Sequence, residues 1–122
     1  MTLPGLPAPS ADMALYRSIQ EAGFAAFPER LENWRRYKAA TRGEVLDYLP
    51  VKLDVEHVSR CNYRCTMCQV SAWPKGRRGA DMTLDDFKAL LDRQVGVVEI
   101  KLQGMGEPLL AADSFFAMVA HA

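Results

Sequence analysis

The sequence predicts an α/β fold, in which a helical N-terminal extension leads into a strand–helix–strand unit of a parallel sheet. Three features carry that expectation. Val51, Leu53 and Val55 alternate with Lys52, Asp54 and Glu56, so residues 51–58 have the two-residue period of a strand with unlike faces. Thr83 and Asp86 form a capping box for a helix over 84–94, with Leu84, Phe87 and Leu91 on one face. Gly96 then punctuates the chain, and Val97 to Gln103 reads as a second strand. Strand, helix and strand in that order describe a right-handed crossover between parallel neighbours.

The elements before this unit are read in chain order. Residues 1–9 carry Pro4, Pro7 and Pro9 and read as a flexible lead. Ser10 is expected to cap a helix running to about Ala22, with Gly23 as its stop and Leu15, Ile19 and Ala22 at helical spacing. Pro28 suits the first turn of a second helix, with Leu31, Trp34 and Tyr37 along one face and Gly43 at its end. Residues 10–50 therefore form a helical extension, and 51–122 the unit that carries the chemistry. A last helix begins near Asp113, with Phe115, Phe116 and Val119 as its apolar positions. It reaches Ala122 without a cap and no third strand follows, so the chain is expected to be a truncated part of a longer protein.

Composition narrows the function classes. Of the 122 residues, 49% are apolar and 25% charged, the balance of an ordinary globular chain and not of a disordered one. Lysine plus arginine equal aspartate plus glutamate, 15 against 15, which gives no charge reason to expect nucleic acid or an anionic membrane as partner. No apolar run approaches the roughly 20 residues of a membrane span. The first ten residues lack the basic start and apolar core of a secretory signal, so a cytoplasmic location is expected. The three cysteines are odd in number and fall within eight residues, a pattern that suits a metal or cluster site better than a disulfide framework.

The cysteine segment Cys61-Asn62-Tyr63-Arg64-Cys65-Thr66-Met67-Cys68 has the spacing C-x3-C-x2-C. Three thiolates on one tight loop suit three corners of a cubane iron–sulfur cluster, and leave one iron open to a small molecule. Arg60 and Arg64 flank the ligands and are expected to favour thiolate over thiol. The competing reading is structural zinc, for which His57 would complete a Cys3His set. Against it, a lone histidine at a strand end is more often packed than ligating. The spacing is similar to the signature of the radical S-adenosylmethionine superfamily, and 56–68 resembles that family's first strand and loop. An aromatic usually stands before the last cysteine there. Here the residue is Met67, expected to pack over the cofactor through apolar contact.

A second motif, Gln103-Gly104-Met105-Gly106-Glu107-Pro108-Leu109-Leu110, follows the second strand. Its glycines permit close backbone approach to a ligand and Pro108 fixes the exit. In the family, a glycine–glutamate–proline turn at this place lines the methionyl amino group of the cofactor. Gly106, Glu107 and Pro108 match it, whereas Met105 replaces the first glycine of the common form. Both motifs fall at the carboxyl ends of successive strands, where ligands of parallel α/β folds gather.

The resemblance implies the first βα units of a partial (β/α)6 TIM-like barrel, in which Asp54 and Glu56 face the interior and Val51, Leu53 and Val55 the outer helices. At about 45 residues per unit, six strands need roughly twice this length. It implies that Cys61, Cys65 and Cys68 hold a [4Fe–4S] cluster. S-adenosylmethionine would chelate the open iron beside Met67, Gly104, Gly106, Glu107 and Pro108. Reduction would then yield a 5′-deoxyadenosyl radical that abstracts hydrogen from a substrate. An electron donor such as flavodoxin or ferredoxin is implied as partner. No residue stands out as a general acid or base. The motif details look most like the branch with a cysteine-rich C-terminal extension, so the substrate class is a small molecule or a peptide. Lys75, Arg77 and Arg78 read as a solvated loop, with an anionic substrate as the alternative. An inactive truncated product is the remaining reading.

Overall fold

The computed structural model describes residues 12–73 and 79–122. The expected Ser10 cap, the proline-rich lead and the basic loop with Lys75, Arg77 and Arg78 lie outside the described residues. The elements run α1 (Met13–Ala26), α2 (Pro28–Ala39), β1 (Lys52–Asp54), α3 (Leu84–Asp92), β2 (Glu99–Lys101) and α4 (Ala112–His121). Short 3-10 helices at Gln69–Ala72 and Pro108–Ala111 follow the two motifs.

β1 and β2 pair in parallel, with Lys52 opposite Glu99, Leu53 opposite Ile100 and Asp54 opposite Lys101. Each is three residues long, shorter than the 51–58 and 97–103 expected. The ladder closes with bonds from Val98 N to Val51 O (2.8 Å) and from Val55 N to Lys101 O (2.8 Å). Beyond it, residues 55–60 exchange strand pairing for contacts with two loops. One face of the sheet packs on helices: Val55, Phe87 and Met118 form the core, joined by Leu53, Leu84, Leu91 and Ile100. Phe87 and Met118 are fully buried. Asp54 and Glu56 stay exposed on the opposite face, where Lys52 Nζ meets Glu99 Oε1 at 2.9 Å.

α4 corrects the expected apolar face. Met118 is its buried residue, Phe115 stacks against His57, and Phe116 and Val119 are more than half exposed. Of the three expected apolar positions, Phe115 packs inward, whereas Phe116 and Val119 face outward and Met118 takes the buried place.

The extension also differs. Asp12 caps α1, its Oδ1 accepting from Ala14 N and Leu15 N at 3.1 and 3.0 Å. The helix runs through Gly23 to Ala26, because the packing of Phe24 on Trp34 (6.1 Å between ring centres) rewards another turn. Leu15, Ile19 and Ala22, the expected inner face, are exposed, and no residue of α1 is buried. α2 ends at Ala39, short of Gly43, so that the chain can return to it. Tyr48 packs edge-on against Tyr37 at 5.3 Å, and Leu49 bonds to Asn33.

Asn33 is the anchor of this return. Its Oδ1 accepts from Leu49 N (2.7 Å), and its Nδ2 donates to Leu49 O (3.0 Å) and Gly96 O (3.4 Å). One buried amide thus ties α2 to the chain entering β1 and to the turn entering β2. Asn33→Ala strands the backbone groups of Leu49, and a loss of about 1–3 kcal/mol is expected in chemical denaturation. A second prediction concerns association. Met13, Leu15, Tyr16 and Ile19 on α1, with Phe116 and Val119 on α4, present uncovered apolar surface. Light scattering of the 122-residue chain is expected to show oligomers, whereas a monomer with cooperative melting would contradict this.

Candidate functional site

The candidate site grows from the carboxyl ends of both strands. Leaving β1, residues 56–60 alternate between two neighbours. On one side, His57 O accepts from Met82 N at 2.8 Å and Ser59 Oγ donates to Gly79 O at 3.0 Å. On the other, Glu56 Oε2 accepts from Met105 N at 3.0 Å and Arg60 O accepts from Glu107 N at 2.9 Å. Between those two bonds, Gly106 lies directly against the Val58 carbonyl, where a side-chain carbon would collide with backbone oxygen. Gly104 lies likewise against the Glu56 carboxylate. The two glycines thus let the second motif close on the first strand's extension.

Glu107 is thereby bonded to the residue immediately before Cys61. A second bridge joins the motifs further along, where Gln69 Nε2 approaches Met105 Sδ at 3.6 Å. Glu107 Oε1 accepts from Leu109 N at 3.1 Å and caps the 3-10 helix that Pro108 begins. The carboxylate is thus held at the turn by its own chain.

The cysteine loop is irregular from Cys61 to Cys68, with a Thr66–Met67 turn closed by Cys68 N to Cys65 O at 3.1 Å. Ser71 Oγ donates to Cys65 O at 3.0 Å. Cys65 is exposed, Cys61 and Cys68 are half-buried, and none is in a disulfide. Among the described residues, no group of three His, Cys, Asp or Glu side chains stands close enough together to hold a metal ion. The donor chemistry nonetheless fits a cluster: three soft sulfur ligands sit on a loop that neither helix nor sheet locks in place. Metal binding and loop ordering are commonly one event. Met67 is 92% exposed at the tip of the turn and packs on nothing described. A cleft of about 540 Å³ beside the loop is lined by Arg60, Tyr63, Arg64 and Trp73, among others.

Arg60 departs from its expected role. Its guanidinium grips Asp81 through Nε to Oδ1 (3.2 Å) and Nη2 to Oδ2 (2.8 Å), and Nη2 also reaches Leu110 O at 3.4 Å. Its charge is therefore matched by a carboxylate. The hydrogen bond from Arg60 holds the Asp81 carboxyl below its ordinary value. Because the folded value is the lower one, the pair's contribution is complete above the unfolded aspartate range. It fades as pH falls from that range through the depressed value.

His57 is 2% exposed, stacked on Phe115 at 5.6 Å, with Nε2 buried and without a hydrogen-bond partner among the described residues. Its ring belongs to the packing between the strand extension and α4, which gives the Cys3His zinc set no support. Glu56, Arg60 and Gln69, which fasten one motif to the other, were not singled out by spacing for that task. The two-residue alternation continued through 56, 58 and 60 is the signal that would have shown Glu56 and Arg60. In comparisons with protein-family models, curated proteins and solved structures, nothing matches the chain. No helix among the described residues is long and apolar enough to cross a membrane.

Proposed function

We propose that the chain is the N-terminal part of a radical S-adenosylmethionine enzyme, its two parallel strands being the first of a partial (β/α)6 barrel. Cys61, Cys65 and Cys68 would hold a [4Fe–4S] cluster, and the turn of Gly104, Gly106, Glu107 and Pro108 would receive the methionyl end of S-adenosylmethionine. Met67, at the loop tip, is free to fold over the cofactor. With one electron from a donor such as flavodoxin or ferredoxin, the bound pair supplies carbon–sulfur bond cleavage and hydrogen abstraction from a substrate. The chain's own residues bind and position. The thiolates take three irons, and the Glu107 carboxylate offers an acceptor to an ammonium group.

The observation that carries this reading is the 2.9 Å bond from Glu107 N to Arg60 O. It supports the reading because chelated S-adenosylmethionine must touch the cluster and the acidic turn at once, and that bond makes the two neighbours. The test is release of 5′-deoxyadenosine by the anaerobically reconstituted, full-length protein containing this chain, in the presence of reductant and S-adenosylmethionine. Wild type is expected to release it and a Cys65→Ser variant is not. No release from wild type would count against the proposal.

A further inference from the structure

We infer that Arg60 is a positioning residue that fixes the acidic turn relative to the cysteine loop; this deepens the proposed function and rests on it for the identity of the ligand. The inference comes from the different reach of the two halves of the residue. Its backbone carbonyl accepts from Glu107 N at the start of the turn, and its guanidinium reaches Leu110 O at the end of the 3-10 helix. The same guanidinium grips Asp81, two residues ahead of the Thr83 cap of α3. Three segments that are far apart in sequence therefore meet on one residue, and the next residue in the chain is Cys61.

Exposure decides what this network is for. The side chains of Arg60 and Asp81 are 48% and 36% exposed, and ion pairs of that kind add little to global stability. Their value is geometric. The bidentate grip sets the direction of the guanidinium, and that direction sets where Leu110 and the turn before it come to rest. Lysine keeps the charge but loses the two-pronged geometry. Leu110 loses its contact with the guanidinium directly, and Glu107, whose bond to the residue-60 carbonyl survives substitution, is loosened through the turn that joins it to Leu110.

The first readout needs no cofactor. Amide hydrogen exchange at Glu107 and Leu110 in the apo protein is expected to accelerate about 3–10-fold in Arg60→Ala, with the melting temperature nearly unchanged. Arg60→Lys should restore part of the protection, and Asp81→Asn should resemble Arg60→Ala. The second readout uses the full-length protein reconstituted with iron and sulfide. Arg60→Ala should keep the wild-type iron content, since all three thiols remain, while its half-saturation for S-adenosylmethionine rises about 3–10-fold. Wild-type exchange rates in Arg60→Ala would overturn the inference, as would wild-type affinity for S-adenosylmethionine in a cluster-loaded variant. If wild type itself bound no cluster, the proposed function would fail, while exchange at Glu107 and Leu110 would still decide whether Arg60 fixes the turn.

Discussion

Gly106→Ala is expected to detach the acidic turn from the cysteine loop. The added carbon meets the Val58 carbonyl oxygen and lies within 2.9 Å of the Arg60 carbonyl, so backbone must move. The bond from Glu107 N to Arg60 O is the contact that such a shift breaks. Lost hydrogen bonding and overpacking together suggest about 1–3 kcal/mol of destabilisation, readable by chemical denaturation. In protein reconstituted with iron and sulfide, the proposed function expects affinity for S-adenosylmethionine to fall about 10-fold or more. Gly43→Ala is the matched control. It has open space around it and should stay within about 0.5 kcal/mol of wild type. Equal behaviour of the two variants would show that the close approach at Gly106 has no part in the site.

The second large effect concerns the thiols. Replacing Cys61, Cys65 or Cys68 singly by serine should reduce retained iron about 10-fold or more after anaerobic reconstitution and desalting, because three ligands are the fewest that hold a cubane with one open corner. The apo protein should hardly notice the change at Cys65. That side chain is exposed and outside any disulfide, so its loss should shift stability by no more than about 0.5 kcal/mol. A separation between metal retention and apo stability is what distinguishes a ligand from a packing residue. If the Cys65→Ser protein retained wild-type iron, the three-cysteine assignment would be wrong.

Some of this was legible in the sequence, and the physical reason differs by element. Pro28 at the start of α2 and Thr83 at the cap of α3 were readable because caps and helix starts are local chemistry. The parallel pairing of β1 and β2 followed from one intervening helix. Strand lengths did not, since hydrophobic alternation persists through Val55 and His57 after ladder pairing has given way to loop contacts. Gly23 was misjudged because its local cost is outweighed by Phe24 on Trp34, a contact that lies 10 residues along the chain. On α4, Phe116 and Val119 satisfied helical spacing as well as Met118 did. Only the place of α3 selects among them.

At the site, the sequence showed which residues belong to each motif and could not show how the motifs are joined. The glycines of the second motif read as places of close approach to a ligand, whereas Gly104 and Gly106 lie against the chain's own Glu56 carboxylate and Val58 carbonyl. Arg60 read as a cation beside thiols, because nothing local announces Asp81, 21 residues on, as its partner. Asn33 carries no local signal among Leu31, Trp34 and Tyr37. Its task, gathering Leu49 and Gly96, is visible only when three segments are folded together.

The most direct test of the proposed centre is elemental and spectroscopic. The protein should be reconstituted with iron and sulfide without oxygen, analysed for metal and acid-labile sulfide, reduced, and examined by electron paramagnetic resonance with and without S-adenosylmethionine. At least about four irons and four sulfides per chain are expected, with a signal that changes when S-adenosylmethionine is added. One zinc per chain without sulfide, or a cluster signal indifferent to S-adenosylmethionine, would contradict the account.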